Sequence, residues 1–281
     1  MEEVLTLDDG LFGILSLPPA TERRRTALIL LNAGFIHRVG PFRLHARLAR
    51  AAAAAGYPVL RFDNPGIGDA LALATQPPER IATRIFDRMQ AHTGCERFVV
   101  GGVCSAADQG WRIALDELRV GGVLMLDGLA RTGPWHFVGR LARLAREPLP
   151  SWLAALQRRL RLRKPMRTGV TAEDIRDWPA PGTERAQLAN LVARDVEIFA
   201  LYTGGAAHFT HPRQFRTTYG AAATSPRVRF AYWEHCDHMF YAEPDRQRLI
   251  ADVTDWMQAR FADWSRRPQA PATPLIRRDT A

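Results

Sequence analysis

The feature that most constrains this chain is an alternation. Short apolar runs at 27–32, 58–62, 97–103, 122–126, 196–202 and 228–233 are separated by longer stretches with helical spacing. The helical stretches are 41–55, 80–92, 104–118 and 244–261. Apolar runs of this length without polar alternation read as strands buried on both faces. Strands alternating with helices build a mostly parallel sheet with helices on both sides. At the N-terminus, residues 3–6 and 11–17 flank the turn Asp8-Asp9-Gly10 and predict an antiparallel hairpin. The expected class is therefore α/β, with eight strands.

One segment interrupts the rhythm. Between Arg131 and about Asp195 the chain carries extra residues rich in Leu, Trp and Arg. Phe137, Leu141 and Leu144, then Trp152, Leu156 and Leu160, recur at helical intervals. The expected organisation is a core of residues 1–129 and 195–264, a helical lid over 130–194, and a disordered Pro-rich tail from 265 to 281. The net charge of +9 belongs to the same segment. Residues 131–167 hold ten basic residues against one acid, Glu147, and the rest of the chain is balanced. Three cysteines do not make a disulfide framework and suit a reducing compartment. The acidic start MEEVLTLDDG lacks a secretory pattern, and no apolar run approaches the ~20 residues of a membrane span. A cytoplasmic protein without a transmembrane segment is expected.

The most specific local signal is Gly102-Val103-Cys104-Ser105-Ala106, placed between a strand and a helix. It has the frame of a nucleophile elbow, where small residues two before and two after let strand and helix almost touch. Centring the frame on Cys104 fits better than centring it on Ser105, which would put Val103 and Ala107 in the small positions. A thiol here is activated by the helix N-terminus and a neighbouring imidazole. Cys95 and Cys236 read as structural.

On these residues the sequence resembles the α/β-hydrolase superfamily, from about Val4 to Phe261. Leu31-Asn32-Ala33-Gly34-Phe35-Ile36-His37-Arg38-Val39-Gly40 resembles the loop that supplies an oxyanion donor. Asp63-Asn64-Pro65-Gly66-Ile67-Gly68-Asp69 is similar to the family's Asp-x-x-Gly-x-Gly-x-Ser loop, with Ala70 in place of the serine. Asp237-His238-Met239-Phe240 resembles the histidine turn. A cysteine elbow is similar to that of dienelactone hydrolases and of cysteine-dependent Dieckmann cyclases. The Asn-Ala-Gly and His-Arg-Val-Gly-Pro features look nearest to hydrolases of exosortase or exopolysaccharide clusters and to serine-aminopeptidase-like hydrolases. Ala106 replaces the usual second glycine.

The resemblance implies a Cys104–His238 pair, with His235 ranked second. Most members place the acid after the strand at 196–202, but here that turn reads Thr203-Gly204-Gly205-Ala206-Ala207-His208, without a carboxylate. The strand at 122–126 ends in Asp127, which the family's strand order would bring beside Cys104. Asp127 is therefore the expected acid and Asp237 the fallback. The backbone N–H groups of Ser105 and of Phe35 or Gly34 are the expected oxyanion hole, and His37, Trp135 and Trp152 the expected substrate contacts.

The implied chemistry is acyl transfer through a cysteine thioester, on an ester or thioester substrate. Alternatives are a chain-releasing acyltransferase or cyclase acting on carrier-protein thioesters, or a non-catalytic binding protein on the same scaffold. The arginine-rich segment reads as a solvated face, as a dock for an acidic acyl-carrier protein or coenzyme A, or as a contact with anionic lipid. No nucleic-acid motif accompanies the charge. His235-x-x-His238 alone makes no metal site, and Gly66-Ile67-Gly68 lacks the remainder of a dinucleotide fingerprint, so no metal or cofactor is expected.

Overall fold

The expected hairpin and parallel runs come together as one eight-stranded sheet in the order β1-β2-β4-β3-β5-β6-β7-β8. The computed structural model describes residues 1–7, 10–71, 78–146, 176 and 178–262. Asp8 and Asp9 of the hairpin turn, Trp152 with Leu156 and Leu160, the basic residues from Arg158 to Arg167 and the tail from Ser265 lie outside the described residues.

Strands β1 (Glu2–Thr6) and β2 (Phe12–Ser16) pair antiparallel, and β2 runs antiparallel to β4 (Val59–Phe62). From there every pairing is parallel, through β3 (Thr26–Leu30), β5 (Arg97–Val103), β6 (Val120–Leu126), β7 (Glu197–Thr203) and β8 (Val228–Trp233). The parallel strands are apolar throughout because both faces are covered. In β5, Phe98 and Val100 enter one core while Val99 and Val103 enter the other. The first core lies under α2 (Pro78–Thr93), α3 (Ser105–Asp116), α5 (Glu184–Ala193) and α6 (Arg213–Tyr219). The second lies under α1 (Leu44–Ala54) and α7 (Glu243–Phe261), whose Leu249, Val253, Trp256 and Met257 are fully buried. Glu197 is tolerated in the buried strand β7 because Arg227 reaches it at 2.8 Å and Arg260 at 3.5 Å.

The insertion after β6 begins as α4 (Pro134–Arg146). Gly139 seats this helix on the chain before α6, where a Cβ would come within 2.4 Å of the Thr210 carbonyl oxygen. The apolar stripe anticipated at Phe137 and Leu141 faces away from that seat, and the two side chains are 60% and 65% exposed. Several arginines of this segment are paired: Arg131 with Glu184 of α5, and, toward the core, Arg146 with Glu234 and Arg143 with the Tyr232 hydroxyl at 2.7 Å.

The order of the strands decides where a site can form. The chain passes from β3 outward to β4, then crosses back to β5 on the other side of β3. The connections leaving the carboxyl ends of β3 and β5 therefore diverge and leave a crevice between them. Helix α3 leaves β5 at this point and lies directly on it. A Cβ on Gly110 of α3 would stand 2.7 Å from the Gly101 Cα. Gly110→Ala therefore overpacks the contact and is expected to cost about 1–3 kcal/mol of stability, read as a lowered urea midpoint with an unchanged slope.

Candidate active site

Cys104 sits between β5 and α3 with φ 61° and ψ −121°, a backbone conformation that is strained for any residue with a side chain. Its N–H donates to the Leu126 carbonyl at 2.8 Å, which ties the bend to the end of β6. The small flanking residues are required: a Cβ on Gly102 would approach the Ala106 Cβ to 3.0 Å. An alanine in the second small position fits because the space there is just sufficient for a methyl group.

Asp127 follows β6 at φ 50° and is completely buried. Its Oδ1 accepts the Thr203 N–H at 2.6 Å, and its Oδ2 accepts the Thr203 hydroxyl at 2.7 Å. Oδ2 also lies 2.8 Å from Nδ1 of His238. The Cys104 thiol lies near enough to the His238 imidazole for each to shift the ionisation of the other. The three residues thus come together, Asp127 on His238 and His238 beside Cys104. Asp237, the fallback acid, is occupied elsewhere: its two carboxylate oxygens accept the Met239 and Tyr241 N–H groups, each at 2.8 Å. The absence of a carboxylate after β7 also has a reason. Gly204 and Gly205 are pressed against the histidine turn, and a Cβ on Gly205 would come within 2.4 Å of the His238 backbone nitrogen.

The electrostatics follow from these contacts. Burial by itself would raise the Cys104 thiol, but the His238 hydrogen bond, the charge of Arg176 and the Ser105 backbone N–H outweigh it and hold the thiol below its ordinary range. Burial opposes a charged His238, yet the hydrogen bonds to Asp127 and Cys104 prevail and push it up to about 10. The two shifts have opposite signs and favour a thiolate–imidazolium pair. Cys236 behaves differently: burial, with nearby Asp245 and Asp237, pushes its thiol up. Cys95 is also buried and raised.

Arg176 and Asp108 escaped the sequence reading. Asp108, in the first turn of α3, receives a bidentate fork from Arg176 at 2.6 and 3.0 Å and the Trp178 indole N–H at 3.1 Å. Arg176 also donates to the Asp127 carbonyl at 3.1 Å, placing a buried cation behind the thiol. Nothing in the local sequence marks it, because the contact joins positions 68 residues apart. Thr203 was passed over for the same reason.

The loop from Asn32 to Arg38 is pinned from below. Asp63 accepts Asn32 Nδ2 at 2.9 Å and the Arg38 N–H at 2.6 Å, and Asn32 Oδ1 accepts the Asn64 N–H at 2.7 Å. The Gly34 N–H, expected as an oxyanion donor, is engaged by the Ser105 hydroxyl at 2.7 Å. The Phe35 N–H has no partner among the described residues, and its side chain is 75% exposed. His37, expected to touch substrate, turns its Nε2 to Asp69 at 3.2 Å. Trp135 lines a separate cleft of about 240 Å³ with Arg131, Glu184, Gln214 and Thr218, stacked on His211 at 4.9 Å. That cleft contains neither Cys104 nor His238. Among the described residues, His37, Asp63 and Asp69 bring possible metal-ligand atoms within 4.8 Å of one another. Arg38 is already paired with both carboxylates, so a cation would have to displace it.

No protein-family model and no curated protein matches the chain. Solved structures do match. An esterase of Pyrococcus furiosus aligns at a TM-score of 0.59 over 93% of this chain and 91% of that one, with 12% identity. A lidless serine hydrolase of Xanthomonas campestris aligns at 0.51 over 97% of each chain, with 14% identity. The fold is the α/β-hydrolase fold. An esterase domain from Rhodothermus marinus aligns at 0.55 over 92% of this chain and 98% of that domain, again with 14% identity. Within the α/β-hydrolase frame, Cys104 occupies the bend after β5 and His238 the loop between β8 and α7. No helix among the described residues is long and apolar enough to cross a membrane.

His238→Ala should return the Cys104 thiol toward its ordinary value, seen as a drop in iodoacetamide alkylation at a pH below that at which a free cysteine ionises. Arg176→Gln should raise the thiol by less, and should cost about 3 kcal/mol in urea unfolding because Asp108 is left buried without its cation.

Proposed function

We propose that this chain is an acyl-transfer hydrolase of the esterase or thioesterase type, with Cys104 as nucleophile, His238 as general base and acid, and Asp127 as the group that orients the imidazole. The observation that carries the reading is the buried Asp127 carboxylate on His238 Nδ1, with the His238 imidazole beside a thiol at a strained bend. The resemblance in fold to esterases and other hydrolases supports the same class.

With the proton already shared toward His238, the Cys104 thiolate attacks the acyl carbonyl and forms a C–S bond. The carbonyl π pair moves to oxygen, where the Ser105 and Phe35 N–H groups face the developing charge. Collapse breaks the bond to the alkoxide or thiolate leaving group, which takes the proton from His238. Asp127 keeps the ring in the tautomer and orientation that both transfers need. A water molecule then gives its proton to His238 and attacks the thioester, releasing the acid and restoring the thiol. An acidic carrier protein or the phosphates of coenzyme A would engage the basic residues from Arg158 to Arg167, which lie outside the described residues.

Turnover of a short p-nitrophenyl ester is the direct test. Cys104→Ala should lower it on the order of 10⁴-fold or more, and intact-mass measurement of the parent enzyme should find one acyl group on Cys104. Full activity in that variant would sink the reading. The pH dependence has a definite sign. A lowered thiol keeps the nucleophile ionised at a pH below that of a free cysteine, and the raised His238 keeps its proton until pH passes about 10. The kcat/KM profile should therefore rise at a pH below that of a free cysteine and fall near the alkaline limit. A rise centred at the ordinary thiol value would contradict the ion pair.

A further inference from the structure

The hydrogen bond between the Gly34 N–H and the Ser105 hydroxyl is not used by the mechanism above, and it changes what faces the acyl oxygen. The Gly34 amide cannot serve the oxyanion while Ser105 Oγ accepts it at 2.7 Å. Nor can it swing away cheaply. Asn32 holds the same loop through the Ile36 carbonyl at 2.9 Å, and Asp63 fixes Asn32 and the Arg38 backbone from the other side. The loop and the first residue of α3 are therefore clasped across the crevice at the switch point.

The clasp fills the acceptor role of the Ser105 hydroxyl and leaves its hydrogen without an acceptor among the described residues. An O–H whose oxygen already accepts an N–H is polarised and donates more strongly. Its position is favourable. Ser105 directly follows the nucleophile, and its backbone N–H is among the groups that lower the Cys104 thiol. On the loop side there is room: a Cβ placed on Gly34 would meet nothing within 4 Å. His238 is occupied by Asp127 and Cys104, so nothing among the described residues deprotonates Ser105, and the hydroxyl keeps its proton.

We infer that the Ser105 hydroxyl is itself an oxyanion donor, standing in for the Gly34 amide that it binds and relaying the polarity of that amide to the acyl oxygen. The inference rests on the acyl-transfer reading and deepens it. The oxyanion would be held by the Ser105 and Phe35 N–H groups and by one side-chain O–H. The proton stays on Oγ throughout, so the hydroxyl stabilises charge without exchanging it.

Ser105→Thr and Ser105→Val separate the hydroxyl from its shape, since the two side chains are nearly isosteric and only threonine keeps the donor. Each is assayed for p-nitrophenyl butyrate turnover and for Cys104 alkylation by iodoacetamide, a displacement that develops no carbonyl oxyanion. The valine variant should lose about 10²-fold in kcat with KM little changed, while its alkylation rate and melting temperature match those of the threonine variant. The threonine variant, which keeps the donor, should turn over well above the valine variant. Ser105→Ala should follow valine. Equal turnover for threonine and valine would overturn the assignment. So would a fall in alkylation parallel to the fall in turnover, which would make Ser105 a positioning residue for the elbow. If instead Cys104→Ala keeps full turnover, the nucleophile assignment itself fails, and that failure is visible without any Ser105 variant.

Discussion

A carboxylate with no exposed surface is the constraint on which the rest of the site depends. Asp127 would be intolerable in the core as an isolated charge. It is tolerated because three donors converge on it: the Thr203 N–H, the Thr203 hydroxyl and the His238 ring. Two of these donors belong to Thr203 and the third to His238, 35 residues further on, and both residues lie at the carboxyl edge of the sheet. The same contacts that satisfy the charge also align β6, β7 and the loop after β8. Removing the acid would therefore disturb both the ring orientation and the register of that edge.

The second constraint is the crossing of the chain between β4 and β5. It opens the crevice and forces α3 to turn sharply out of β5. The strained backbone at Cys104 is held by the packing of Gly102 against Ala106, of Gly110 against Gly101, and by the Leu126 carbonyl. Such strain persists only where the surroundings over-determine it. The strain presents the sulfur at the helix N-terminus, where hydrogen bonds and the Arg176 charge lower it despite burial. A thiol with these neighbours is chemically unlike Cys95 or Cys236, which are more deeply buried, have no imidazole among the groups that shift them, and are raised by burial.

Much of the fold was legible in the chain because its signals are local. A run such as 97–103 is apolar at every position, and only a strand covered on both faces suits that pattern. The bend at Cys104 was legible for a similar reason: a tight strand-to-helix turn leaves a mark in small residues at fixed offsets. Helix α6 left no such mark. It is two turns long and is organised by Gln214, whose side-chain oxygen accepts the Thr210 N–H at 2.7 Å rather than by an apolar period. The outward apolar face of α4 shows the converse limit, since helical spacing predicts a stripe but not the direction in which it points.

For the site, the sequence alone determined the kinds of groups present: a thiol at an elbow, an imidazole after the last strand, and an acid at the end of β6 instead of β7. What the tertiary structure decided was which of them meet and what else meets them. Asp237 and Asp127 are equally acidic on paper, but one is used by its own turn and the other by His238. Arg176 and Thr203 became part of the site, and the Gly34 amide was taken by a neighbouring hydroxyl. The reason is physical. Spacing along a chain specifies torsions and faces over a few residues, whereas a hydrogen bond between residues 71 or 111 positions apart exists only after the sheet has brought them together.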